Sequence, residues 1–139
     1  MHDPIERLDK LLQGELVAIG GYRHIVPHIR NPHFKAVGQH CYDLHVQNSQ
    51  KLKRRLLATA GACRDHTSLL HSLSLLVVDV ASIFGDQSIK SSLQKKEMDR
   101  LEVYAYELTC LDGESLALVR DELIEIQDSI CACLKGVEL

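Results

Sequence analysis

The chain is 139 residues long, a length that fits one domain with a single well-filled core. Hydrophobic residues make up 45% and charged residues 25%, and with no Trp, two Phe and four Tyr the core must rest on Leu, Ile, Val and Ala, which favours helix packing over a sandwich or barrel. A formal charge of −3 offers none of the basic excess that phosphate binding needs, so nothing in the composition points to nucleic acid.

The opening MHDPIERLD has neither the basic segment nor the apolar run of a secretory signal, and the expected location is cytoplasmic. Helix A should start after Asp3, a capping residue with Pro4 in the first turn, and run to about Arg30. Its inward stripe is Leu8, Leu11, Leu12, Ala18, Ile19, Tyr22 and Ile25, with Glu15 in the middle of it. Pro27 should kink or fray the last turn. Asn31-Pro32 then makes a tight link, Asn as cap and Pro at the first helical position, so helix B turns back antiparallel to A. The stripe of B is Phe34, Gly38, Cys41, His45, Asn48, Leu52, Leu56 and Thr59, more polar at its end, and it places His45 inward. The run Lys51, Lys53, Arg54, Arg55 on the same helix reads as a solvated face.

Gly61 to Thr67 is the clearest break in the middle of the chain, with Asp65 or Thr67 able to cap a helix beginning at Ser68. Ser68–Phe84 is apolar on nearly all sides; it is short for a membrane span and carries His71 and Asp79. It is expected to be a helical crossover ending at Gly85-Asp86, and its all-round apolar surface suggests an interface, a homodimer being the first expectation. Helix C, about Gln87 to Thr109, has the stripe Leu93, Glu97, Leu101, Tyr104 and Leu108. After the turn Leu111-Asp112-Gly113, helix D runs to about Leu134 with Leu116, Val119, Leu123, Ile126, Ile130 and Leu134 inward and Glu125 and Asp128 towards solvent. Two antiparallel hairpins joined by one long helical connection give an all-α four-helix bundle of the single-crossover type.

Five cysteines (Cys41, Cys63, Cys110, Cys131 and Cys133) form an odd set without CxxC spacing, which argues against a disulfide framework or a zinc knuckle. Cys131 and Cys133, two apart on a helix, diverge by about 160°. The favoured reading is reduced, mostly buried thiols.

Glu15 and Glu97 carry one signature: a carboxylate inside an apolar stripe with a tyrosine seven residues on, Tyr22 and Tyr104. GELVAIGGY against KEMDRLEVY suggests two related halves, each giving one buried acid to a shared interior. Together with His45, these acids form a set of inward polar groups near mid-helix. Carboxylate oxygen and imidazole nitrogen ligate iron, manganese or zinc, and a metal charge offsets the desolvation of both acids.

LDKLLQGELVAIGGYRHI in A, NPHFKAV followed by DLHV in B, KEMDRLEVY in C and RDELIEIQDSI in D give the chain its resemblance to ferritin-like domains, and more closely to small bacterial ferritin-like proteins of unknown function. The resemblance covers nearly the whole chain and implies a four-helix bundle descended from a metal-carboxylate scaffold; it implies no established activity. The full di-metal pattern takes one Glu from each of two helices and Glu-x-x-His from each of the other two. Here Glu15, Glu97 and His45 match it, but Tyr42 stands at the acid position of B, and Gln127 and Ile130 replace the pair of D. A dinuclear centre is not expected.

Two functional readings remain. In one, the chain is a structural, interaction or stress-related bundle with a degenerate carboxylate/histidine site at Glu15, His45 and Glu97, its acids held by Tyr22, Tyr104 or His45 and neighboured by Tyr42 and Gln127. In the other, those three residues hold a single Fe, Mn or Zn ion with open positions for oxygen or peroxide chemistry. His24, His28, His33 and His40, clustered around the A–B turn, read mainly as surface histidines, with an accessory metal site as the rival. Cys41, one turn from His45, reads as a small buried hydrophobe, with a soft ligand or redox thiol as the rival. No phosphate loop, GxSxG or nucleophile motif is present.

Overall fold

The computed structural model describes residues 3–60 and 85–139; the break at Gly61–Thr67 and the expected crossover Ser68–Phe84, with the dimer interface inferred from it, lie outside the described residues. Among the described residues the chain forms four helices and no strand. None of these helices is long and apolar enough to cross a membrane.

Helix α1 (Pro4–Ile25) starts as expected: Asp3 is extended and its carboxylate accepts the Ile5 N–H at 3.0 Å, with Pro4 leading the helix. Its end differs from the expected run to Arg30. The α-geometry stops at Ile25, and Val26–His28 form a 3-10 turn closed by the Ile29 N–H on the Val26 carbonyl at 3.1 Å. Pro27 is the cause, because it has no N–H for the carbonyl one turn back and its ring crowds that carbonyl.

Helix α2 (Pro32–Ala60) is capped by Asn31, whose Oδ1 accepts the Phe34 N–H at 2.9 Å. Its expected inward residues are buried from Phe34 through Leu56, and Thr59, the polar end of the stripe, faces solvent. Gly85 precedes α3 (Asp86–Glu107) at φ 86°, in the half of backbone space that favours glycine. Asp86 then fastens two distant links of the chain, because its carboxylate oxygens accept the backbone N–H groups of Arg30 and Asn31 at 2.9 and 2.7 Å. The α1–α2 turn is thereby tied to the start of α3.

The last helix has three parts: α4 (Gly113–Leu118), a π-helical turn Val119–Leu123, and α5 (Ile124–Lys135). In the π turn the Ile124 N–H reaches back five residues to Val119. That extra residue sets the rest of the helix back by most of one residue's rotation, about 100°. The inward positions become Val119, Leu123, Gln127, Ile130 and Leu134, and Ile126, which simple periodicity puts inside, moves to the flank and is exposed along part of its side chain.

Helix α1 packs along α2 and α3 along α5, as two hairpins should. Two apolar clusters form between the helices. One gathers Tyr22, Phe34, Cys41, Ile89, Leu93 and Ile130; the other gathers Leu8, Leu12, Leu52, Tyr104, Val119 and Leu123. Glu15, His45, Glu97 and Gln127 lie between these clusters in the sequence of every helix, so the polar groups form a layer with apolar packing on either side of it.

Candidate functional site

Glu15, His45, Glu97 and Gln127, one from each of the four helices, are all 0–1% exposed. The three residues singled out as a candidate centre do converge. His45 lies between the two acids, with Nδ1 at 2.5 Å from Glu15 Oε2 and Nε2 at 2.6 Å from Glu97 Oε2. The tyrosines cross over. Tyr22 of α1 donates to Glu97 Oε2 of α3 at 2.6 Å, and Tyr104 of α3 donates to Glu15 Oε1 of α1. Each half of the repeated signature therefore satisfies the acid of the other half.

Arg100, which sequence reasoning missed, completes the set. One turn beyond Glu97 on α3, its guanidinium donates to Glu97 Oε1, and the side chain is only 16% exposed. The signal was present as Glu97-x-x-Arg100, since residues three apart on a helix are neighbours. Gln127 Nε2 donates to Glu97 Oε1 at 3.2 Å and to the Glu97 backbone carbonyl at 2.9 Å. Glu97 thus accepts from Arg100 and Gln127 on Oε1 and from His45 and Tyr22 on Oε2, which uses all four lone-pair sites a carboxylate offers. Among the described residues Glu15 has two donors, His45 and Tyr104.

Between two ionised carboxylates a neutral imidazole would turn a bare nitrogen lone pair towards an oxygen at 2.5 or 2.6 Å, which is repulsive, so in that state both ring nitrogens donate and the ring is an imidazolium. Burial pulls the His45 pKa down, but Glu15 and Glu97 outweigh it and push it up to about 9. For Glu97, burial raises the pKa, and His45, Arg100 and Tyr22 outweigh that and hold it at about 2. Burial and then the facing carboxylate keep the Tyr22 and Tyr104 hydroxyls protonated far above their ordinary range. Arg100 is pulled down by burial, but Glu97 and Glu15 outweigh that and raise it. Two carboxylates, one imidazolium and one guanidinium sum to zero charge in this layer.

Tyr42 does not join the centre, although the sequence placed it close by. It sits beside the α2 stripe, half-buried, and its hydroxyl accepts from Arg23 Nη2 at 3.2 Å with the guanidinium 6.0 Å from the ring centre. Asn48, one turn beyond His45, is fully buried; its Nδ2 reaches the Leu123 carbonyl at 3.5 Å and its Oδ1 has no hydrogen-bond partner among the described residues. Gln127 Oε1 is likewise without one.

A metal ion does not fit the centre as it is arranged. The two nitrogens of one ring lie on opposite edges, so an ion on either nitrogen meets one acid and leaves the other behind, and Glu97 has no lone-pair site left to give. Among the described residues no three His, Cys, Asp or Glu side chains are grouped to hold an ion. Of the four histidines near the α1–α2 turn, His28, His33 and His40 are exposed and His24 is half-buried. Cys41 is a buried free thiol whose pKa burial, with Glu97, pushes up to about 12, which keeps it protonated at neutral pH. Cys110, Cys131 and Cys133 are free and half-buried. Lys51 and Arg55 of the basic run are paired across to Glu122 and Glu114 of the last helix at 2.8 and 2.6 Å.

The unequal coordination of the two acids yields a measurable difference. Glu97 loses one of four donors in Tyr22→Phe, whereas Glu15 loses one of two in Tyr104→Phe. Urea unfolding should show a loss of about 1 kcal/mol for the first and about 2–3 kcal/mol for the second. Equal losses would contradict the assigned pairing.

Comparison with protein-family models, with curated proteins and with solved structures found no match.

Proposed function

We propose that this chain is a ferritin-like four-helix bundle, with Ser68–Phe84 as its helical crossover, in which protons and an arginine do the work that metal ions do in a metal-carboxylate scaffold. Its role is then that of a structural, interaction or stress-related protein, working in the cytoplasm as a homodimer. The observation that carries this reading is the saturation of the centre: Glu97 accepts four donors and both nitrogens of His45 are spent on carboxylates. A catalytic metal centre keeps an open coordination position for its substrate, and this arrangement offers none. The polar layer instead holds the four helices in one register, a use of buried charge that is best attested where it fixes alignment.

The rival reading, a single Fe, Mn or Zn ion on Glu15, His45 and Glu97 acting on oxygen or peroxide, makes a different prediction. Protein purified without a histidine tag, incubated with each metal at pH 7 and then desalted, should carry far less than one ion per chain. One tightly held ion per chain would replace the proposed function with the metalloprotein reading.

A further inference from the structure

We propose that Arg100 is the residue that excludes metal ions from this centre, and that an uncharged side chain in its place opens Glu97 to one divalent cation. This rests on the closed-centre reading above and goes beyond it by naming the group that does the closing. Four donors surround Glu97, but they are not equivalent as obstacles to a cation. Tyr22 and Gln127 are neutral and can share an oxygen with an ion. His45 is charged but sits on the Oε2 side. Arg100 alone places a permanent positive charge on Oε1, and guanidinium does not release its proton.

A second observation lies beside it. Among the described residues Gln127 Oε1 is fully buried without a hydrogen-bond partner, while the Nε2 end of the same amide donates to two Glu97 oxygens at 2.9 and 3.2 Å, so turning the amide over would present the free oxygen on the Glu97 side. An unpartnered carbonyl oxygen therefore belongs to a side chain that already touches Glu97 Oε1. With the guanidinium gone, two carboxylates face one imidazolium, His45, and the neutral Gln127 amide, so the layer is left with a net charge of −1. Such an oxygen-rich set with net negative charge suits a hard divalent ion such as Mn2+.

The test uses the full chain at pH 7 as wild type, Arg100→Met, Arg100→Gln and Arg100→Lys, with Mn2+ alone as the probe. Loss of the free-ion signal in electron paramagnetic resonance gives the stoichiometry and Kd. Removing a like charge a few ångströms from the ion should tighten binding roughly a hundred-fold in the Met and Gln variants, to one ion per chain. The Lys variant keeps the charge and should bind no better than wild type. Adding Glu97→Gln to Arg100→Met should abolish uptake, which places the ion at this centre. If the Met and Gln variants bind no tighter than wild type, the role given to Arg100 is wrong and the closed-centre reading stands. If wild type itself takes one tightly held ion, the closed-centre reading falls. Should both uncharged variants be unfolded, addition of millimolar Mn2+ should restore their circular dichroism, because a bound ion stabilises the fold by mass action. Failure to do so also overturns the proposal.

Discussion

Replacing His45 with alanine is expected to lower stability by about 3–5 kcal/mol, the range for removing one partner from a buried ion pair. The loss of packing is a minor part of this. Without the imidazolium, Glu15 keeps among the described residues only the Tyr104 hydroxyl, in a site that is 0% exposed. Glu97 is less affected, since Arg100, Tyr22 and Gln127 still hold it. Urea unfolding of wild type and His45→Ala at pH 7 measures the loss. A deficit below about 1 kcal/mol at pH 7 would mean that the centre contributes little to the fold.

The second large effect is a stability plateau with two different edges. His45 has a folded pKa of about 9 against an ordinary value of 6.5, so its contribution is complete below pH 6.5 and is lost as pH rises through 9. Glu97 has the opposite sign: with a folded pKa of about 2 against 4.5, its contribution is complete above pH 4.5 and is lost as pH falls through 2. Stability from the centre should therefore be greatest between about pH 4.5 and 6.5, with roughly 3 kcal/mol at stake on each side. The two edges share the His45–Glu97 contact and are not additive. Thermal or urea unfolding across pH 3–10 reads the profile. In His45→Ala the decline between pH 6.5 and 9 should be absent, and its persistence would assign that edge to another group.

What could be read from the sequence divides along physical lines. Local signals carried well: Asp3 and Asn31 cap the helices they precede, and the α2 stripe from Phe34 to Leu56 turns inward as its spacing requires. The pairing of Glu15 with Tyr22 and of Glu97 with Tyr104 was visible as a repeat, but the crossing of the partners was not. A seven-residue spacing tells which face a tyrosine shares with an acid, and the contact it makes depends on the helix opposite. The inward turn of Gln127 was hidden from periodicity because it needs the π turn at Val119–Leu123, and no propensity in VRDEL announces one. Counting residues chose Ile126 for the inward face, whereas Gln127 is the residue buried against Glu97. Arg100 was passed over because a charged residue on a helix is ordinarily a solvent group, and only the acid one turn before it, buried in three dimensions, makes it part of the interior. Tyr42 shows the reverse error. Its position relative to His45 fitted an inherited acid site, yet a hydroxyl off to the side of the stripe finds Arg23 at the surface instead.

The central claim is that His45 is a doubly protonated imidazolium held between two carboxylates. Nitrogen-edited NMR of the histidine rings at pH 7, assigned with His45→Ala, tests it most directly. The predicted result is one ring, absent from the variant, with protons on both nitrogens, each slow to exchange with water, and with titration displaced to about pH 9. A His45 ring carrying a single proton at pH 7, with the other nitrogen bare or bound to a metal ion, would contradict the account.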